Sequence, residues 1–424
     1  MYLADRAAPT AAATARGPGR GRAPAVSSVV LALGAVSLVT DISSEMVTAV
    51  LPLYLVTGLG LSPLGFGTLD GVYNGVSALV QLTGGHLADR IRSHKLIAGL
   101  GYGLSALCKP LLLFAKSLGP LGVVLALERT GKGLRTSPRD ALISLSTPPE
   151  RRGRAFGVHR AMDTTGAVLG PMTAFLILRA ATDGYDAVFG VSSCVAVLGV
   201  LVLVLFVPGR GRLSADGDGT DPGAAPARTD LREALRLLRV PRLRALAGCA
   251  VLLGLTTVSD AFVYLLLQHR AGIPEEFFPL LPLGTSAVFL LLAVPAGVLA
   301  DRIGRRVVFL AGHAGLLAAY GLLLWAPGTP ALPYAVLALH GTFYAATDGV
   351  LPAAVADVVP AHLRGSGLAL VGTGQALARF CCSLAFGAAW TAWGDGRALF
   401  ASAAGLLVCA ALAAVVLRPG EKTA

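Results

Sequence analysis

The chain has 424 residues, of which 54% are hydrophobic and only 14% charged, and it carries a formal net charge of +11. A string of soluble domains needs far more polar surface, so this composition excludes one and describes a chain built for a membrane. The basic excess is not gathered into a patch for nucleic acid; it follows the ends of apolar segments.

Residues 1–25, rich in Ala, Gly, Pro and Arg, predict a flexible basic tail rather than a folded element. The apolar run after it is too long for a signal-peptide core and reads as the first spanning helix. A helix crosses the hydrocarbon layer with about 20 apolar residues. Segments that meet this are 27–57, 64–87, 95–117, 119–141, 154–180, 186–207, 243–269, 276–300, 306–326, 331–357, 364–393 and 396–417. They are too long and continuous for barrel strands, so the expected fold is an all-α membrane protein with about twelve transmembrane helices. The expected organisation is a tail (1–25), a first half (26–207), a central loop (208–242) whose LREALRLLR stretch forms a short interfacial helix, a second half (243–418) and a short tail (419–424).

With the N-terminus in the cytoplasm, 24 of the 35 Lys and Arg fall in tails and inward loops, and only Lys116, Arg179, Arg270 and Arg397 face outward. That asymmetry predicts a multi-pass protein of the cell (inner) membrane with both termini cytoplasmic. The six cysteines lie in apolar segments without metal-ligand spacing and read as packing residues. No metal, cofactor or nucleotide site is expected: Gly133 follows Lys132 inside a span, which is not a phosphate-cradling loop. No catalytic constellation can be placed at one depth, so an enzyme is not expected.

Ionisable groups inside the spans cost at least about 2.5 kcal/mol each on insertion scales and therefore need partners or a wet cavity. Helix one contains TDISSEM, which puts Asp41 and Glu45 on one face. On helix four, Glu128, Lys132, Arg135 and Arg139 line one stripe, with Arg129 and Asp140 beside it. The spacing predicts a Glu128–Lys132 pair, leaving Arg129, Arg135 and Arg139 to find Asp41, Glu45 and Asp163. Helix five adds His159, Arg160 and Asp163, then GAVLGP with Gly166, Gly170 and Pro171. The second half carries fewer charges, Asp260, Asp348 and Arg379, and a pocket is expected from Tyr73, Asn74, Tyr264, Phe343, Tyr344 and Gln375.

The chain also repeats itself. GGHLADRI at 84–91 returns as AGVLADRI at 296–303, an offset of 212 residues, and Pro148/Pro360 and Gly153/Gly365 keep the same register. Two six-helix halves related by duplication, each with this signature after its second helix, resemble the major facilitator superfamily. The resemblance implies that Gly85, Asp89 and Arg90, and Gly297, Asp301, Arg302, Gly304 and Arg305, form cytoplasmic gate motifs. In these, Asp89 addresses the start of helix eleven near Gly365, and Asp301 the start of helix five near Gly153. The first copy departs from the pattern at Arg92, Ser93 and His94. Arg129 to Gly133 is similar to the family's proton-coupling pattern on helix four. GAVLGP resembles its antiporter motif, with Ala174 and Phe175 in place of the final glycines. The expectation is a monomeric secondary transporter of the efflux type, exchanging a small amphiphilic molecule for protons through Asp41, Glu45, Glu128, Arg129, Lys132, Arg135 and Asp163. The alternative is a proton-coupled uptake symporter for an anionic metabolite.

Overall fold

The computed structural model describes residues 27–91, 94–148, 152–207, 237–326, 328–360 and 363–417. The side chains of 77–79, 81–91, 94, 137, 152–153, 364–366 and 369 also lie outside that description. The two expected tails, most of the central loop and its LREALRLLR stretch up to residue 236 therefore fall outside it.

Among the described residues there is no strand. The first half comprises α1 (Ser28–Leu53), prolonged by a π-helical turn Tyr54–Gly58, then α2 (Pro63–Ile91), α3 (His94–Phe114), α4 (Leu118–Leu145), α5 (Arg152–Ala180) and α6 (Gly184–Phe206). The second comprises α7 (Pro241–Gly254), α8 (Asp260–Ala271), α9 (Leu281–Ile303), α10 (Arg305–Trp325), α11 (Leu332–Thr347), α12 (Val350–Val358), α13 (Arg364–Trp393) and α14 (Asp395–Val416). Among the described residues, seven segments are long and apolar enough to cross a membrane by length and composition alone. Large apolar side chains such as Leu107, Leu205 and Leu291 stand exposed around the outside, as lipid contact requires.

Two expected spans are not continuous. The segment 243–269 is divided between α7 and α8, and 331–357 between α11 and α12 at Asp348 and Gly349. The first break has a local cause. The Leu253 carbonyl takes the Thr256 N–H at 3.1 Å, a tightened last turn, and also the hydroxyls of Thr256 and Thr257 at 3.1 and 2.8 Å. The Val258 N–H that the break releases donates to the Tyr320 hydroxyl at 2.8 Å, so this backbone donor is not stranded.

The halves meet closely at the end that carries residues 58–62, 115–117, 181–183 and 272–275. There α2 lies on α13 with no room for side chains: a Cβ on Gly67 would strike the Ser383 carbonyl oxygen. Phe66, Phe262, Phe386 and Trp390 interlock across this seam, with centroids 4.7 to 5.9 Å apart. Leu64 N–H donates to Thr391 Oγ1 at 3.0 Å, and the Tyr185 hydroxyl to Glu275 at 3.0 Å. We call this the sealed end.

Inside the first half, α5 packs along α1 through its small residues. A Cβ on Gly170 would sit 2.8 Å from the Glu45 Cβ and from the Ile42 carbonyl oxygen. Gly170→Leu should therefore force the helices apart and destabilise the protein by at least about 1–3 kcal/mol, read as a lower unfolding temperature after detergent extraction. An unchanged midpoint would mean that the α1–α5 contact is slack.

Candidate functional site

Helices α1 and α4 run antiparallel, and their polar faces meet turn by turn. Lys132 Nζ lies 3.3 Å from Glu45, Arg135 3.3 Å from Asp41, and Arg139 donates to Ser37 Oγ at 3.3 Å. Arg139 also reaches Asp163 of α5 at 3.5 Å and its neighbour Asp140 at 3.0 Å. Asp163 in turn pairs with Arg160 at 3.1 Å. His159 Nε2 meets Ser37 at 3.0 Å. The result is a ladder of ion pairs across α1, α4 and α5, with Arg135 and Arg139 buried.

The expected Glu128–Lys132 pair does not form. Glu128 faces α3, where Lys109 Nζ approaches to 3.2 Å, and its other oxygen forms an ion pair with Arg129 Nε at 2.8 Å without hydrogen-bond geometry. Lys109 and Glu128 are 2% and 4% exposed, so neither charge has a watery alternative, whereas Lys132 is a third exposed and reaches Glu45. Arg129 continues to Tyr73, bonding its hydroxyl and lying 3.5 Å from the ring centroid, and Tyr73 meets Thr48 at 2.8 Å. Lys109 is the residue that sequence reasoning left unassigned; a lysine inside the apolar stretch SALCKPLLL was its signal.

Between the halves lies a cavity of about 350 Å³. The first half contributes Glu45, Tyr73 and Asn74, and also Asp70, which sequence reasoning had not singled out. From the second half come Asp260, Tyr264, Tyr344, Asp348 and Arg379, beside the break between α7 and α8. Asp70 accepts from Ser383 Oγ of α13 at 2.6 Å and from Asn74 Nδ2 at 3.3 Å. Asp260, in the first turn of α8, meets His340 at 3.0 Å and accepts from the Tyr344 hydroxyl at 2.6 Å. Arg379 and Asp348 make no hydrogen bond or ion pair among the described residues, although Arg379 has Tyr344, Asp260 and Asp348 as electrostatic neighbours.

Phe343 and Gln375 are not part of this cavity. They line a smaller pocket of about 70 Å³ within the second half, where Phe343 packs edge-on to His313 at 5.2 Å. Asp348 and Arg379 border both spaces and form the wall between them.

The gate motifs are only partly visible. The side chains of residues 81–91, Asp89 and Arg90 among them, lie outside the description, as do those of 152–153 and 364–366 at the starts of α5 and α13. Asp301 is 73% exposed and pairs with Arg305 at 3.8 Å, one turn further on, rather than with a described residue of α5. Arg305 itself bonds Asp357 and donates to the Ala353 carbonyl at 2.6 Å. Gly304 separates α9 from α10 at φ +99°, a conformation that suits glycine, and Arg302 is exposed.

Among the described residues the chain is helical, and its two halves wall a central cavity, the arrangement that a secondary transporter needs. Comparison with known proteins gives the family: the model of the Major Facilitator Superfamily matches residues 33–290 and 261–424, and the chain belongs to that family. An uncharacterised transporter of the same type from Methanocaldococcus jannaschii is 29% identical over 385 residues, 86% of this chain and 89% of that protein. An uncharacterised protein of Mycobacterium tuberculosis is 33% identical over 170 residues, about 40% of each chain. Among solved structures, a point mutant of the nucleoside transporter NupG superimposes with TM-score 0.76 at 12% identity, covering 92% of this chain and all of that one. A bacterial homologue of the lysosomal transporter Spinster, inward-facing and unoccupied, gives 0.75 at 16% identity, covering 93% and 98%. At such identities the likeness is one of fold. The chain is thus an integral membrane transport protein with a small-molecule substrate, and not an enzyme.

Proposed function

We propose that the protein is a proton-coupled exporter, which exchanges a small amphiphilic molecule for protons by rocking its two six-helix halves about the central cavity. The observation that carries this reading is the double membership of Glu45, which lines the cavity and also belongs to the ion-pair ladder through Lys132. A substrate that perturbs Glu45 perturbs that pair, and the next pairs along α4 stand within a few ångströms. An opposite charge beside a carboxylate favours its ionised form, so shifting a cation along the ladder releases or captures a proton. Asp41, Glu45 and Asp163 are the proposed proton carriers. Asp89 and Asp301 are proposed to latch the halves in the outward-facing state, the reverse of the one described above. Tyr73, Asn74, Asp260, Tyr264, Tyr344, Asp348 and Arg379 are proposed to face the substrate.

The proposed topology is twelve crossings in the cell membrane, by a monomer with both termini and residues 208–242 in the cytoplasm. Under this topology the sealed end is the outer one and the cavity opens inward. Reporter fusions at the C-terminus and within 208–242 should then be active only in the cytoplasm; activity on the outer side would overturn the orientation. The close α1–α5 packing at Gly166, Gly170 and Pro171 supports export through its resemblance to the antiporter motif. Everted vesicles with an acid lumen should accumulate substrate and lose that accumulation to an uncoupler.

The symporter reading keeps one observation in its favour: Arg379, which lines the cavity, has no ion pair among the described residues. The other cations it needs, Arg129, Lys132 and Arg135, are all paired within the first half. Substrate and protons moving in the same direction in the vesicle experiment would establish it in place of the exporter.

A further inference from the structure

Charge in the central cavity does not balance. Its lining carries four carboxylates, Glu45, Asp70, Asp260 and Asp348, against one guanidinium, Arg379. Lys132 neutralises Glu45 from outside the lining. Asp70 has only neutral donors, Ser383 and Asn74, and Asp348 has no bonded partner among the described residues. Asp260 has Tyr344 and His340. Even with His340 charged, Asp70, Asp260 and Asp348 exceed the available cations by one.

The Asp260 side chain is 44% exposed and Asp348 is exposed as well, so their uncompensated charge stands open to the cavity, and a cleft lined by an excess of one sign concentrates the opposite ion. The excess here is met by a mobile charge, either a proton or the positive end of a ligand. Asp70 and Asp260 come from opposite halves, so a cation between them is held only while both halves face it. Aromatic rings of Tyr264, Tyr344 and Phe289 share the lining, and ring faces attract ammonium groups while they cover an apolar body.

From this charge balance we infer that the cavity takes an organic amine, with its ammonium group held by the carboxylates of Asp70, Asp260 and Asp348 and its apolar body against the cavity's rings. The inference rests on the transporter reading of the cavity and deepens it by naming the substrate's charge. Arg379 then serves to keep Asp348 and Asp260 from overbinding the cation and to repel a second one.

A matched pair of probes tests this on the purified full-length protein in nanodiscs: phenethylamine and phenylpropionate, alike in ring and length and opposite in charge. The amine should raise the unfolding temperature and the acid should not. Asp348→Asn, which breaks no bond seen here, should weaken the amine's effect about tenfold in affinity. Asp70→Asn, which keeps an acceptor for Ser383, should do the same. Stabilisation by the acid that is lost in Arg379→Gln would overturn the inference. So would an amine effect equal in the wild type and both variants, or no effect of the amine at all. Amine binding without proton-linked transport would contradict the exchange mechanism and leave the amine site standing. Proton-linked transport by a protein indifferent to the amine would do the reverse.

Discussion

Glu128→Gln is expected to cost the folded protein about 3–5 kcal/mol, because it strands charge where there is no water to receive it. Lys109 is 2% exposed and has Glu128 as its ion-pair partner at 3.2 Å, and Arg129, 7% exposed, leans on the same carboxylate at 2.8 Å. Removing the carboxylate leaves two cations facing each other between α3 and α4, with only Tyr73 to occupy Arg129. The double variant Lys109→Met, Glu128→Gln removes one cation together with the anion and should regain most of the loss. The measurement is thermal unfolding of the detergent-purified variants, alongside their abundance in the membrane. If the single variant is as stable as the wild type, or the double variant is worse than the single one, this buried group is not the structural tie that its geometry describes.

The pair at the cavity margin should behave in the opposite way. Glu45 and Lys132 have side chains 26% and 32% exposed, so water softens the cost of separating them and folding should survive. Transport should not. Glu45→Gln removes the carboxylate that belongs to both the cavity and the ladder, and Lys132→Ala removes the cation that answers it. Each is expected to lower proton-coupled transport at least about tenfold, with membrane abundance close to that of the wild type. Normal coupled transport by both variants would remove the pair from the mechanism.

What the sequence made legible was what repeats or what is apolar. The copied GGHLADRI segment announces two halves, and hydropathy outlines the helices to within a few residues of α1 to α6, because a crossing helix needs one unbroken apolar run. The breaks in 243–269 and 331–357 were hidden because the polar dips at 256–260 and 347–349 are too short to interrupt an apolar run of about 20 residues. The first depends on a hydroxyl, Tyr320, 62 residues away from the Val258 amide it receives. The cavity was legible in part: charges spaced along helix four pointed to α1 and α5, but a spacing of four also fits Glu128 with Lys132. Only the position of Lys109 on α3 shows why Glu128 turns the other way. Asp70 escaped notice because its significance lies in Ser383, 313 residues further on, which no periodicity connects to it.

Transport by rocking halves requires that they part at the sealed end in each cycle. Leu64 and Thr391 face each other there across the two halves, with the Leu64 amide 3.0 Å from the Thr391 hydroxyl. A Leu64→Cys, Thr391→Cys variant, in a background lacking the six native cysteines, places two thiols across this seam. Oxidation to the disulfide should stop export in everted vesicles, and a reductant should restore it, while either single cysteine is indifferent to both. A cross-linked protein that exports at the rate of its reduced form would contradict transport by rocking halves.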